Sequence, residues 1–159
     1  MTYKTKKIRL YDLPALFKIA GILKACGDDM YARYQLAHWK NSLIKTFLIV
    51  IYTALQREVY AVEDDGGVVI ATFQIKRVEN GLHFGKLAVS PTASGKGIGS
   101  FCLTFMEDEA RRRGLTSLNC EVYDKSKYAY DFYINRGFEA VGEVSTLKYK
   151  EIVLKKEVI

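Results

Sequence analysis

The sequence predicts an α/β protein in which a mixed, mostly antiparallel sheet is flanked by helices. Two observations carry this prediction. Apolar residues recur at helical spacing over residues 13–23 and change to the alternation of strands from Glu58 onward. Further along, a strand, a glycine-rich turn, a helix and another strand follow one another, which is the order of a crossover between parallel strands.

The length and composition indicate one globular domain, residues 1–159. The chain has 159 residues, of which 49% are hydrophobic and 26% charged, a balance typical of soluble domains. The longest apolar run, Phe47 to Leu55, is shorter than the roughly 20 residues of a membrane-spanning helix. We expect it to be a buried helix.

The first residues and the cysteines predict a cytoplasmic protein. The segment "MTYKTKKIRLYDL" lacks an apolar stretch of signal-peptide length. Cys26, Cys102 and Cys120 are odd in number and far apart, which favours reduced core thiols over a disulfide framework or a zinc site. No metal is therefore expected.

The net charge of +6 allows nucleic-acid binding, but the basic residues are scattered and form no basic stripe. A small polyanionic ligand fits this excess better than a nucleic acid. The one dense cluster, Arg111–Arg113, falls at the end of a predicted helix, where the helix dipole favours cations without a partner.

The amino-terminal third predicts one strand and two helices. After the strand "KKIRL", Asp12 caps a helix with apolar positions at Leu13, Leu16, Phe17, Ala20 and Leu23. Gly27 is expected to end it. Residues 28–41 predict a loop with a helical turn, and a mostly buried helix, "SLIKTFLIVIYTALQ", follows from Ser42.

The rest of the chain predicts six strands and two helices. Residues 58–64, 68–78 and 82–89 form a three-stranded meander with glycine turns at 65–67 and 80–81. The helix "GSFCLTFMEDEARRRG" then places Phe101, Leu103 or Thr104, Phe105 and Ala110 inward and ends at Gly114. The strand "SLNCEVY", the helix "SKYAYDFYINRG" and a closing hairpin of "FEAVGEV" with "LKYKEIVLKKEV" complete the prediction.

Three glycines at every second position, Gly95, Gly97 and Gly99, precede the third helix. They do not fit a P-loop, because no hydroxyl residue follows Lys96, nor the dinucleotide fingerprint, because Ser100 stands where its third glycine belongs. They do remove side chains where backbone N–H groups from Gly95, Lys96, Gly97, Ile98, Gly99 and Ser100 could converge on a pyrophosphate. A plain tight turn is the alternative, although it needs fewer glycines.

The segment "LAVSPTASGKGIGSFCL" resembles the acetyl-coenzyme A loop of the GNAT family of N-acetyltransferases. The family pattern Gln/Arg-x-x-Gly-x-Gly/Ala falls on Ser94, Gly97 and Gly99, with serine at the first position. A second family motif is similar to "SKYAYDFYINRGF", where Ser126 replaces the usual Asn. Its matching residues are Ala129, Phe132, Tyr133, Gly137 and Phe138.

This resemblance implies a single GNAT-type domain that uses acetyl-coenzyme A as co-substrate. The implied reaction is direct attack by a primary amine, of a small molecule or a peptide, on the acetyl group in a ternary complex. Backbone N–H groups of Leu87, Ala88 and Val89 would polarise the acetyl carbonyl, and Ser126 falls at a cofactor-binding position. The family also allows a homodimer.

The resemblance implies that Tyr133 is the acid that protonates the leaving thiolate, although its spacing from Tyr130 also suits packing. Glu121 is the candidate base, because Leu118, Cys120 and Val122 share the opposite face of its strand. A solvated strand glutamate is the alternative. His83 and Glu107 are weaker candidates for the base.

The acceptor side is expected within residues 28–39, where the family builds one wall of the acceptor site. Tyr31, Tyr34 and Trp39 could line that wall or belong to the core of the first helical layer. The alternative to an enzyme is a non-catalytic acyl-coenzyme A sensor, which would keep the loop without turnover.

Overall fold

The computed structural model describes residues 1–159 and contains seven strands and four helices. In chain order they are β1 (Lys4–Ile8), α1 (Leu13–Tyr34), α2 (Leu43–Ala54), β2 (Glu58–Glu63), β3 (Val69–Val78), β4 (Gly81–Val89), α3 (Ile98–Arg112), β5 (Ser117–Tyr123), α4 (Lys127–Ile134), β6 (Glu139–Ser145) and β7 (Lys150–Glu157). A short 3₁₀ turn, Pro91–Ala93, lies between β4 and α3.

The strands form one sheet in the order β1-β2-β3-β4-β5-β7-β6. Pairing is antiparallel between β1 and β2, β2 and β3, β5 and β7, and β6 and β7, whereas β4 and β5 are parallel. The α3 crossover between β4 and β5 explains the parallel pair, since a parallel connection needs a crossover of this kind. The predicted fold class, a mixed and mostly antiparallel sheet with helices, is confirmed.

The chain divides into two compact units. Residues 1–76 and 86–102 form the first, and residues 77–85 and 103–159 form the second. The core of the first unit packs α1 and α2 against β2 and the end of β4, with the buried residues Leu16, Ile19, Ala20, Ile22, Leu23, Val50, Val59, Ala61 and Ala88. The second unit buries residues of β4, α3, β5, α4 and β7, among them Phe84, Met106, Leu118, Tyr133 and Leu154.

Helix α1 begins as predicted, because the Asp12 carboxylate accepts a hydrogen bond from Ala15 N at 3.2 Å. The predicted end at Gly27 is wrong, since the helix continues to Tyr34 and stops where Gln35 takes a left-handed φ of 59°. Gly27 serves close packing instead. A Cβ there would lie 2.3 Å from the carbonyl oxygen of Trp39, so only glycine lets this segment approach the helix.

Helix α2 begins as predicted at Ser42, whose hydroxyl accepts a hydrogen bond from Lys45 N at 3.2 Å. The prediction that α2 is mostly buried is wrong, because Thr46 and Val50 are its only buried residues. The first unit covers just one face of this helix. Its apolar outer face is exposed to solvent.

The meander, the third and fourth helices and the closing hairpin lie where the sequence predicts them. Helix α3 ends before Gly114, which has a φ of 69°. Its buried apolar positions correct the predicted inward face: Phe101 and Phe105 are half-buried, Thr104 is exposed, and the buried residues are Ile98, Cys102, Leu103, Met106 and Ala110.

The arginines at the end of α3 form ion pairs with acidic residues of that helix. Arg113 Nε donates to Glu109 Oε1 at 2.6 Å, Arg112 also pairs with Glu109, and Arg111 pairs with Asp108 at 2.9 Å. The hydrogen bond from Arg112 helps hold the pKa of Glu109 below its usual range. These intrahelical ion pairs support the structural explanation of the cluster.

Two glycines of α1 provide a matched test of this packing. Gly27→Ala should lower the free energy of unfolding by about 1–3 kcal/mol, because the new Cβ overlaps backbone that cannot move freely. Gly21→Ala meets nothing within 4 Å and should raise it by up to about 1 kcal/mol, because alanine favours the helix. Urea unfolding followed by circular dichroism measures both, and equal effects would contradict the packing role of Gly27.

Candidate active site

The loop between β4 and α3 is shaped by two left-handed glycines. Gly95 has a φ of 77° and Gly97 a φ of 75°, which side-chain-bearing residues rarely adopt. A Cβ at either position would meet nothing within 4 Å, so both glycines border open space. Successive backbone N–H groups around left-handed residues form a concavity that binds anions.

The start of α3 adds further donors to this loop. Ile98 is 2% exposed and fixes the first turn in the first unit. The first N–H groups of a helix have no intrahelical acceptors, and the dipole makes this end positive. The first turn of α3 carries no acidic side chain. Residues 95–100 therefore fit the diphosphate of coenzyme A.

Ser94 differs from the Gln or Arg of the family pattern and has a local role. Its hydroxyl donates to the Pro91 carbonyl at 3.0 Å, and Ser94 N also approaches that oxygen, at 3.4 Å. The side chain thus braces the 3₁₀ turn. This leaves the backbone from Gly95 onward as the candidate source of anion-binding donors.

Strand β4 is irregular just before the positions expected to hold the acetyl group. Lys86 has a φ of 52°, an uncommon conformation for a residue with a side chain. Parallel pairing with β5 runs from Gly81 to His83, so Leu87, Ala88 and Val89 lie beyond it along the strand. Nothing in the sequence signals the left-handed Lys86.

The end of β4 is tied to α1 by a cysteine. Cys26 Sγ donates to the Val89 carbonyl at 3.0 Å, a contact that the sequence did not predict. Burial raises the pKa of the Cys26 and Cys102 thiols to about 12 and also raises that of Cys120. All three cysteines are free thiols, and these shifts keep them protonated near neutral pH.

The predicted acceptor-side aromatics all lie in the first unit. Tyr31 is 37% and Tyr34 45% exposed, and Trp39 is half-buried beside the core. Two lysines face these rings: Lys40 Nζ is 3.6 Å from the Tyr31 ring centre and Lys86 Nζ is 5.3 Å from that of Trp39. Two ammonium groups therefore lie beside these aromatic rings.

His38 lies beside these aromatic residues, and a nearby positive charge affects its pKa. Its burial, together with the positive charge of Lys86, lowers the pKa of the imidazole. His38 is therefore neutral at pH 7 and adds a polar group without adding charge. Neither His38 nor Lys86 belongs to a recognisable motif, so the sequence does not mark them as candidate site residues.

In the second unit, the structure brings two candidate bases together. His83 Nε2 and Glu121 Oε2 are 2.5 Å apart, with side-chain exposures of 17% and 31%. The parallel register places His83 opposite Asn119, two residues from Glu121, on one face of the sheet. His83 also lines a polar pocket of about 380 Å³ at the start of β4 and β5.

Tyr133 lies in an aromatic cluster of the second unit. It is 9% exposed, and its ring centre is 5.8 Å from that of Phe84 and 5.4 Å from that of Phe138. Such packing fixes the ring orientation. Ser126 precedes α4, is 4% exposed and makes no side-chain capping bond.

The third candidate base, Glu107, has a structural partner. It accepts a hydrogen bond from Lys156 Nζ at 2.6 Å, which links α3 to β7 within the second unit. No group of three or more His, Cys, Asp or Glu side chains is placed to hold a metal ion. None of the four helices is long and apolar enough to cross a bilayer.

The acetyltransferase (GNAT) family model matches residues 22–138, most of the chain and all of the loop just described. The chain belongs to the GNAT family. Like other members, this GNAT protein is an acetyl-coenzyme A-dependent N-acetyltransferase with an amine acceptor. No curated protein sequence matches it.

Solved structures share the fold of this GNAT protein at low sequence identity. The ribosomal-protein-S18-alanine N-acetyltransferase from Escherichia coli has a TM-score of 0.69 at 19% identity, over 99% of this chain and 94% of that one. PaiA N-acetyltransferase from Thermoplasma acidophilum, solved with coenzyme A, has a TM-score of 0.73 at 16% identity, over 99% of both chains. IAA acetyltransferase from Bacillus cereus has a TM-score of 0.68 at 17% identity, over 98% of this chain and 99% of that one.

The left-handed glycines give a controlled test of the anion-binding loop. Gly97→Ala strains the loop and places a methyl group in the open space, so the Kd for coenzyme A should rise about tenfold, measured by calorimetry. Gly67→Ala is the control, because Gly67 has a φ of 76° and equally open surroundings in the turn between β2 and β3. It should carry similar strain and leave the Kd unchanged. If both variants bind equally well, the loop is not the site.

Proposed function

We propose that this protein acetylates a primary amine by direct attack of the amine on the acetyl donor in a ternary complex. The observation that carries the proposal is the contact of His83 with Glu121 at 2.5 Å, which supplies a base. The donor site proposed for this reaction comprises Leu87, Ala88, Val89, Gly95, Lys96, Gly97, Ile98, Gly99, Ser100 and Ser126.

Glu121 takes the proton that the acceptor ammonium must lose before its nitrogen can attack. His83, hydrogen-bonded to Glu121, orients the carboxylate and passes the proton towards the polar pocket that His83 lines. The pair is only partly exposed, so its contact is less weakened by solvent than an open surface pair.

Acetyl-coenzyme A, when bound, supplies a thioester whose C–S bond breaks as the new C–N bond forms. We propose that backbone N–H groups of Leu87 to Val89 stabilise the carbonyl oxygen, and that the Tyr133 hydroxyl gives its proton to the leaving sulfur. Phe84 and Phe138 hold the Tyr133 ring in a fixed orientation for this role.

A covalent acetyl-enzyme is disfavoured by the state of the cysteines. A cysteine nucleophile must be a thiolate, and burial raises the pKa of the Cys26 and Cys102 thiols to about 12. The amine must then attack the donor directly. We also propose a single domain and a cytoplasmic location, the latter favoured by the three free thiols.

We propose that Tyr31, Tyr34 and Trp39 line the acceptor side and that the acceptor carries an anionic group such as a carboxylate. The support is the placement of Lys40 and Lys86 over the Tyr31 and Trp39 rings. A cation close to a bound carboxylate stabilises it, whereas it repels a second amine.

The acceptor proposal is tested by thiol release with matched amines: amino acids, their amides, polyamines and short peptides. A carboxylate-bearing amine should have a kcat/KM about tenfold above that of its amide, and Lys86→Gln should remove this difference. Lys18→Gln, on the first turns of α1, is the control. Equal rates for acid and amide would refute the anionic acceptor, whereas binding of coenzyme A without thiol release from any amine would refute the enzyme itself and favour a sensor.

The base is tested with Glu121→Gln, which should lower kcat/KM by about 10²–10⁴ at pH 7 because the amide cannot accept the proton. The deficit should shrink as pH rises, since more acceptor is then already neutral. His83→Gln should cause a smaller loss of the same kind, and Glu139→Gln on the exposed strand β6 should cause none. A pH-independent deficit would remove Glu121 from the role of base.

The acid is tested with Tyr133→Phe, which keeps the aromatic packing and removes the hydroxyl. We expect kcat to fall about 10–100-fold while the Kd for coenzyme A changes less than twofold, because only proton transfer is lost. Tyr130→Phe, one turn earlier on α4, is the control. Unchanged turnover in Tyr133→Phe would leave this residue a packing role alone.

A further inference from the structure

Helix α2 has large apolar side chains on its exposed face as well as on its buried face, which is unusual for a helix at a protein surface. Its sequence, LIKTFLIVIYTA, contains one charged residue, Lys45. A helix with this composition is normally enclosed by protein. The first unit encloses only half of it.

The buried half of α2 is fully accounted for. Val50 and Thr46 are buried, and Leu43, Phe47, Ile51 and Ala54 pack against the core of the first unit. The Phe47 ring meets that of Phe17 on α1 at 5.3 Å, and Thr53 Oγ1 accepts a hydrogen bond from Gln74 at 2.8 Å. These contacts fix the rotation of α2 about its axis.

The opposite face presents four large apolar side chains to solvent, here called the α2 stripe. Their exposed fractions are 73% for Ile44, 59% for Leu48, 61% for Tyr52 and 64% for Leu55. The first three are spaced four residues apart, and Leu55 is one further turn along. Residues in such a row form the ridge that packs into the groove of another helix.

The charges of α2 are matched to a second, oppositely directed helix. Lys45 is at the positive amino-terminal end, where a cation is unfavourable, and the last turn has no basic residue to balance its negative end. The first turn also has no acidic residue. In an antiparallel pair of α2 helices, Lys45 of each copy would lie near the unbalanced carboxyl end of the other helix.

We propose that the α2 stripe is the interface of a homodimer, in which two copies of α2 pack antiparallel about a twofold axis. A twofold interface places the same surface of each copy against the other, so an uncharged stripe with a lysine at one end is self-complementary. This proposal stands independently of the acceptor and of the catalytic residues.

The area of the stripe agrees with a dimer. Four side chains of this size, each more than half exposed, leave roughly 500 Å² of apolar surface in contact with water, near the upper end for the largest patch on a monomer. Two copies would bury roughly 1,000 Å² at the centre of the interface, close to the lower limit for a biological interface. Phe17 on α1, which is exposed and contacts Phe47 of α2, would extend it.

The test is the mass of the full-length protein in sedimentation equilibrium from 1 to 100 µM. We expect twice the 18.1 kDa of one chain. Leu48→Glu should raise the dimer Kd at least a hundredfold, because it places a charge at the centre of the apolar contact. Leu147→Glu is the matched control, since Leu147 is fully exposed between β6 and β7, and the dimer should persist.

Lys45→Glu distinguishes the proposed antiparallel dimer from nonspecific association through an apolar surface. In the monomer this change should stabilise α2, because an acidic residue suits the first turn, so the melting temperature of the monomer should not fall. In the dimer the same carboxylate faces the negative end of the partner helix, so the dimer Kd should rise at least tenfold. A dimer unaffected by both Leu48→Glu and Lys45→Glu would use another surface and overturn the proposal.

A monomer at every concentration would also overturn it. Such a monomer that cosediments with vesicles of anionic phospholipid, and loses this binding in Leu48→Glu, would assign the stripe to a membrane surface instead. Circular dichroism of each variant confirms that it is folded before its mass is interpreted.

Discussion

The donor site proposed for this acetyltransferase depends on a few backbone N–H groups at the start of α3 and in the loop before it. The start of α3 cannot satisfy its first donors within the helix, and the left-handed Gly95 and Gly97 bring neighbouring donors to the same side. Buried Ile98 holds that arrangement in place. In the proposed binding mode main-chain atoms recognise the diphosphate, so Ser94 can replace the usual Gln or Arg and brace the loop instead.

The geometry of the donor loop is easier to predict from the sequence than that of the other candidate residues, because it depends on residues that are close together in the chain. The loop could be predicted from the sequence because glycines at alternate positions before a helix determine nearby backbone geometry. The contact between His83 and Glu121 joins residues 38 positions apart and depends on the parallel register of β4 with β5. Strand alternation places Glu121 on the correct face, but only the assembled register reveals its partner.

The same distinction explains the errors in the helices. The sequence predicts that Gly27 ends α1, yet Gly27 lies within the helix. The glycine is needed there because the Trp39 carbonyl packs against it, a contact between separate segments. The apolar sequence of α2 correctly predicts a helix but does not reveal how much of it the protein covers. An apolar composition indicates that the helix surface is hydrophobic. It does not indicate whether the same chain or another molecule covers that surface. Lys86 similarly shows no sequence feature that marks its left-handed backbone.

Consecutive residues of α1 hold two different parts of the first unit. The Cys26 thiol donates a hydrogen bond to the carbonyl at the end of β4. Gly27 leaves room for the backbone of Trp39, which lies in the segment before α2. A small displacement of this single helical turn would shift the strand end and the aromatic segment together. If these two parts carry the proposed donor and acceptor sites, natural variation in α1 would alter both affinities together, so the two affinities would evolve as a correlated pair.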